Sequence, residues 1–104
     1  MIYYIFDLDD TLLRLTNNEK AHLKNLFKFP QISEFDLIKN YRVISKRKQL
    51  KKLLQYINNP KIILTNANAI HAKLSLHNMD ILDCFNSIID RDMIRCLKPN
   101  MQAY

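Results

Sequence analysis

The sequence predicts an α/β fold, a short parallel sheet of about three strands with flanking helices. Three observations carry this. Continuous apolar, β-branched runs stand at residues 2–6, 61–65 and 87–90, the pattern of strands in a parallel sheet. Segments with helical spacing of apolar residues separate these runs. The resulting order of strand, helices, strand, helix, strand is that of βαβ units with right-handed crossovers.

Each element has a local reason. Residues 2–6, Ile-Tyr-Tyr-Ile-Phe, read as a strand buried on both faces. Residues 19–29 read as a helix with Ala21, Leu23, Leu26, Phe27 and Phe29 on its apolar side, ended by Pro30. Ser33 with Asp36 marks the start of another, carrying Phe35, Leu37, Ile38 and Tyr41. A third helix, residues 46–57, has Leu50, Leu53, Leu54 and Ile57 as its stripe and stops at Asn58-Asn59-Pro60, where the asparagines stand in for a glycine cap. After the strand at 61–65, helix signals resume at 68 and run to about Asn78, and Asp80 is expected in a left-handed conformation.

The 104 residues fit one small domain, and 48% hydrophobic content is enough for a core. Glycine is absent, although average usage would give about seven in this length. Left-handed backbone positions must therefore fall to Asn or Asp. No signal peptide or membrane span is recognisable, so a soluble, intracellular (cytoplasmic) protein without membrane partners is expected. Cys84 and Cys96 lack metal-ligand spacing and read as reduced thiols. The net charge is +6, much of it in residues 46–52. That stretch reads as the solvated face of a helix. It has no aromatic interleaving and no recognition motif, so nucleic-acid binding is not expected.

Chemistry is expected at the carboxyl ends of the strands, where open α/β sheets bind ligands. The first strand ends at Asp7 and the second at Thr65-Asn66. Asp7 and Asp9 are two apart and are expected on one side of the loop. One carboxylate can attack phosphorus to form an aspartyl-phosphate. The other can protonate the leaving oxygen and then activate water. Two neighbouring carboxylates repel, and a hard cation such as Mg²⁺ relieves this while neutralising phosphate charge. Thr65 offers a hydroxyl to a phosphate oxygen, beside the N–H groups opening the next helix. The plainer readings are an ordinary turn at Asp9-Asp10, a simple helix cap at Thr65-Asn66, and a packed helix residue at His71.

These residues carry a family resemblance. Phe6-Asp7-Leu8-Asp9-Asp10-Thr11-Leu12 resembles the first motif of the haloacid dehalogenase-like (HAD-like) phosphatases. Ile62-Ile63-Leu64-Thr65-Asn66-Ala67 resembles their second, and Leu97-Lys98-Pro99-Asn100 their third. Thr65-Asn66-Ala67 with His71-Ala72, Asp83-Cys84-Phe85 and Cys96-Leu97-Lys98-Pro99 are similar to the pyrimidine 5′-nucleotidase branch. The resemblance implies a partial Rossmann-like core at 1–13 and 46–104 with a small helical cap at about 14–45. It implies a Mg²⁺-dependent phosphohydrolase acting on a small phosphomonoester, such as a nucleoside monophosphate. Asp7 would be nucleophile and metal ligand, and Asp9 the acid/base and a second ligand through its carbonyl. Thr11 would fix the loop, Thr65 and Asn66 would hold phosphate, and Lys98 would neutralise charge.

The chain departs from that pattern in two ways. The family's fourth motif, an acidic pair some twenty residues beyond the lysine, has no counterpart before Tyr104, and the cap region is short. Read as a C-terminal truncation, this leaves residues 2–6 as an exposed apolar edge that invites another chain. The alternatives to an active phosphohydrolase are thus an inactive relative serving as a binding protein, and a subunit completed by a second copy or a partner covering residues 2–6.

Overall fold

The computed structural model describes residues 2–29 and 31–93. Three strands, β1 (Tyr4–Phe6), β2 (Lys61–Leu64) and β3 (Ser87–Ile89), form one parallel sheet in the order β1-β2-β3. Helices α1 (Asn17–Leu26), α2 (Glu34–Tyr41) and α3 (Lys48–Tyr56) connect β1 to β2. Helix α4 (Ala69–Asn78) and a 3₁₀ turn (Leu82–Cys84) connect β2 to β3. The architecture is the expected α/β arrangement, part of a Rossmann-like layer.

Local chemistry sets the helix ends. A reciprocal capping box, Thr16 with Glu19, starts α1 two residues before the helical periodicity suggested. The helix closes at Leu26, so Phe29 lies beyond it and exposed. Ser33 caps α2 as expected. Helix α3 departs from expectation. Asn58 and Asn59 make no left-handed cap; the chain leaves α3 extended at Ile57, and Lys61 Nζ donates to the carbonyls of Ile57 (2.6 Å) and Asn59 (3.2 Å) instead. The lysine side chain thus ties down two carbonyls of the segment that leaves the helix, rather than the helix's own last carbonyls. Asp80 does take the left-handed conformation after α4 (φ 63°), as does Asp10 (φ 64°).

The core lies on one side of the sheet. Phe6, Ile63 and Ile88 are in register and pack with Leu8, Leu54, Leu76 and Ile81. Ile5, Ile62, Leu64 and Ile89 are carried on the other side by the same register. There Ile5 is 64% and Leu64 42% exposed. The expectation that residues 2–6 are buried on both faces is therefore corrected. The reason is topological. Both crossovers step the same way across the sheet, and right-handed crossovers of that kind put their helices on one face. Among the described residues β1 pairs with β2 alone, which leaves the exposed β1 edge that was expected.

Candidate functional site

The loop after β1 is a compact, self-bonded turn. Leu8 O accepts from the N–H groups of Thr11 (3.2 Å) and Leu13 (2.9 Å), and Asp10 N–H returns to Leu13 O (2.8 Å). Leu8, Leu12 and Leu13 are buried. Alternation between anchored leucines and polar residues leaves Asp7, Asp10 and Thr11 exposed and Asp9 half-buried. Arg47 Nη1 donates to Leu12 O at 3.3 Å, tying the approach to α3 to the same loop. On α1, Lys20 pairs with Asp10 across the loop.

The end of β2 faces this loop across the parallel pairing of β1 with β2. Thr65 is buried, and its Oγ1 accepts the Ala67 N–H at 3.1 Å. The cap of α4 is Asn68, which accepts the His71 N–H at 2.8 Å. His71 therefore sits in the first turn of α4, at the mouth of the strand ends. Its Nε2 lies 2.9 Å from Asp9 Oδ1, and its Nδ1 lies 2.6 Å from the Tyr41 hydroxyl. Tyr41 is fully buried at the end of α2. Burial first, and the nearby Asp9 charge second, push its phenol well above the ordinary tyrosine range.

A cleft of about 370 Å³ opens at this junction. Asp9 and Asp10 form one side and Asn66, Ala67, Asn68 and His71 another. Helix α1 adds Lys20, Leu23, Lys24 and Phe27, and Arg91 closes the rim. Arg91 is positioned by its backbone N–H, which donates to Ala67 O at 3.0 Å. With Lys20 paired to Asp10, Lys24 and Arg91 beside the helix N-terminus are the cationic groups left to meet an anion, opposite Asp9.

Of the residues singled out from sequence, Asp9 and Asn66 meet in this cleft. Asp7, Thr11 and Thr65 lie in the flanking backbone but do not line it. Lys98 and Cys96 lie outside the described residues. The cleft residues that carried no reading from sequence are Lys20, Lys24, Asn68 and Arg91, while His71, read there as a packed helix residue, lines the cleft. For His71 a signal was available: Asn68 caps a helix directly after a strand end, and a residue three positions past such a cap faces the site.

Magnesium is held by one or two carboxylates together with water and phosphate oxygens. Asp7 supplies a carboxylate, and Asp9 would add its backbone carbonyl. Leu8 N–H donates to Asp7 Oδ1 at 2.9 Å, which leaves Asp7 Oδ2 without a hydrogen-bond partner among the described residues, and the Asp9 backbone carbonyl likewise accepts none there. No group of three His, Cys, Asp or Glu side chains able to hold a metal occurs among the described residues. The donor set thus fits a Mg²⁺ that arrives with phosphate rather than a cation caged by protein alone. No helix among the described residues is long and apolar enough to cross a membrane.

No family model matches the chain, and no curated protein matches it.

Proposed function

We propose that the protein is a Mg²⁺-dependent phosphohydrolase of the aspartyl-phosphate type, acting on a small phosphomonoester. The observation that carries this reading is the meeting of Asp9, from the loop after β1, with the opening of α4 after β2 in one cation-lined cleft. The resemblance of residues 6–12 and 62–67 to the HAD-like motifs supports it. Asp7, exposed at the carboxyl end of β1, attacks phosphorus, and the bond to the leaving oxygen breaks. Asp9 gives that oxygen a proton. It then takes a proton from water as the water attacks the aspartyl-phosphate, which releases phosphate and restores Asp7. Asn66 and the N–H groups opening α4 orient the phosphoryl oxygens, while Lys24 and Arg91 attract the substrate. Mg²⁺ held by Asp7 and Asp9 would neutralise charge building on those oxygens.

The test is hydrolysis of a generic aryl phosphate with and without Mg²⁺, beside an Asp7→Asn control. Metal-dependent turnover in the parent protein and its loss in the control are expected. Equal rates in both proteins would refute the reading.

A second reading is favoured by the exposed apolar edge: another chain completes the sheet at β1. Ile2, Tyr3, Tyr4 and Ile5 are all exposed, and none is a charged or proline residue of the kind that blunts an edge. Sedimentation should then find a stable oligomer that Ile5→Lys dissociates. A clean monomer at all concentrations counts against it.

A further inference from the structure

We propose that Tyr41 and His71 are positioning residues for Asp9: Tyr41 fixes the His71 imidazole as its Nε2–H tautomer, and that N–H holds Asp9 Oδ1 so that Oδ2 is the oxygen left to carry the proton. What Asp9 does with that proton rests on the phosphohydrolase reading; the hydrogen-bond chain does not.

The assignment follows from donor counting. The Tyr41 side chain is fully buried, and among the described residues its hydroxyl has one partner, His71 Nδ1 at 2.6 Å. A buried O–H without an acceptor is costly, so the hydroxyl must donate to a lone pair on Nδ1. Burial and the Asp9 charge keep the phenol protonated, so the donor persists across the working pH range. With Nδ1 accepting, the proton of a neutral imidazole resides on Nε2. Nε2 lies 2.9 Å from Asp9 Oδ1, an acceptor, so both contacts are satisfied by one tautomer and by no other neutral one.

The ring has little freedom to depart from this. Tyr41 meets His71 edge to face at 5.6 Å between centroids, and Phe27 meets Tyr41 in the same way at 6.4 Å. The His71 backbone is pinned by the Asn68 cap. The chain of contacts runs from α1 through α2 and α4 to the loop after β1. A general acid must be aimed as well as protonated, and small misplacements of reacting groups cost large factors in rate. An Asp9 tethered at one oxygen has a defined orientation for the other.

The experiment is nitrogen NMR of the histidine rings in the full chain under mildly alkaline conditions, combined with steady-state kinetics on an aryl phosphate. His71 is expected to show one protonated nitrogen, Nε2, and an acceptor-type Nδ1. Tyr41→Phe, which removes only the hydroxyl, should collapse that signature into an averaging mixture of tautomers. It should also lower kcat about ten- to a hundredfold with KM little changed. His71→Gln, whose amide can still donate to Asp9, should retain more activity than His71→Ala. An averaging His71 in the parent protein overturns the proposal. So does a Tyr41→Phe variant that loses the tautomer yet keeps its full kcat. A parent protein with the fixed tautomer and no metal-dependent hydrolysis supports the hydrogen-bond chain and overturns the phosphohydrolase reading alone.

Discussion

Asp9 and His71, separated by 62 residues in sequence, meet at 2.9 Å where the loop after β1 crosses the first turn of α4. The contact joins the two strand ends that the parallel pairing of β1 with β2 brings side by side. It is partly exposed on the carboxylate side and nearly buried on the imidazole side. Such an asymmetric setting lets a carboxylate face a ligand while its partner is held from behind.

The loop depends on its leucines more than on its polar residues. Leu8 is fully buried, and its carbonyl accepts two of the hydrogen bonds that close the turn. Leu8→Ala is expected to cost about 2–5 kcal/mol, a large share of the total stability of a small domain. Urea denaturation should show a strongly lowered midpoint.

Asp10 separates backbone from charge. Its left-handed conformation (φ 64°) disfavours a side chain without local hydrogen bonding, and its ion pair with Lys20 is solvent-exposed. Asp10→Ala is expected to lose about 1 kcal/mol. Asp10→Gly should stay within about 0.5 kcal/mol of the parent, because backbone relief offsets a weak pair. Thermal melts of the two variants side by side distinguish these outcomes.

The Lys51–Asp80 pair, 3.0 Å apart, should leave a mark at both ends of the pH range. The hydrogen bond to Lys51 and its charge hold the Asp80 carboxyl below its ordinary 3.8. A lowered carboxyl stabilises the fold above 3.8 and loses that contribution as pH falls from 3.8 toward the folded value. The same contact raises Lys51 above 10.5, so its contribution is present below 10.5 and disappears as pH climbs beyond it. Asp80→Asn keeps a residue tolerant of the left-handed turn but removes the pair. Its melting temperature is expected to vary less with pH below about 4 and above about 10.5 than the parent's. Added salt should shrink the difference.

Lys61 makes the opposite case, since it works through hydrogen bonds to carbonyls rather than through a charge partner. It is 8% exposed and holds the segment that leaves α3. Lys61→Met keeps the stem and removes both bonds. The expected loss is about 1–3 kcal/mol, insensitive to salt, as read from denaturation at low and high ionic strength.

Much of this was legible in the residues themselves. The β-branched runs located all three strands to within a residue or two, and the absence of glycine correctly pointed to aspartate at the left-handed turn after α4. The start of α1 was recoverable from Thr16-Asn17-Asn18-Glu19 but hidden behind weak periodicity. The exit of α3 was not legible, because the segment leaving it is held by the side chain of a lysine that comes only at the start of the next strand. Which face of the sheet is covered depends on the direction of two crossovers, a global property that no single strand records. In the candidate site, the Asp9 loop and the end of β2 stood out in the sequence as polar residues at the ends of apolar strands. The His71–Tyr41 contact did not, because it requires α2 to pack on α4, and Tyr41 by itself reads as ordinary core.

The uncovered side of the sheet has a calorimetric consequence. Heat capacity rises on unfolding because apolar surface becomes hydrated. Ile5 and Leu64 already meet water over part of their surface in the folded chain, so that part adds no hydration on unfolding. The heat-capacity increment should therefore fall below the usual range of about 12–15 cal/mol/K per residue. A smaller increment flattens the dependence of stability on temperature. The chain should then give up little of its stability on cooling toward freezing.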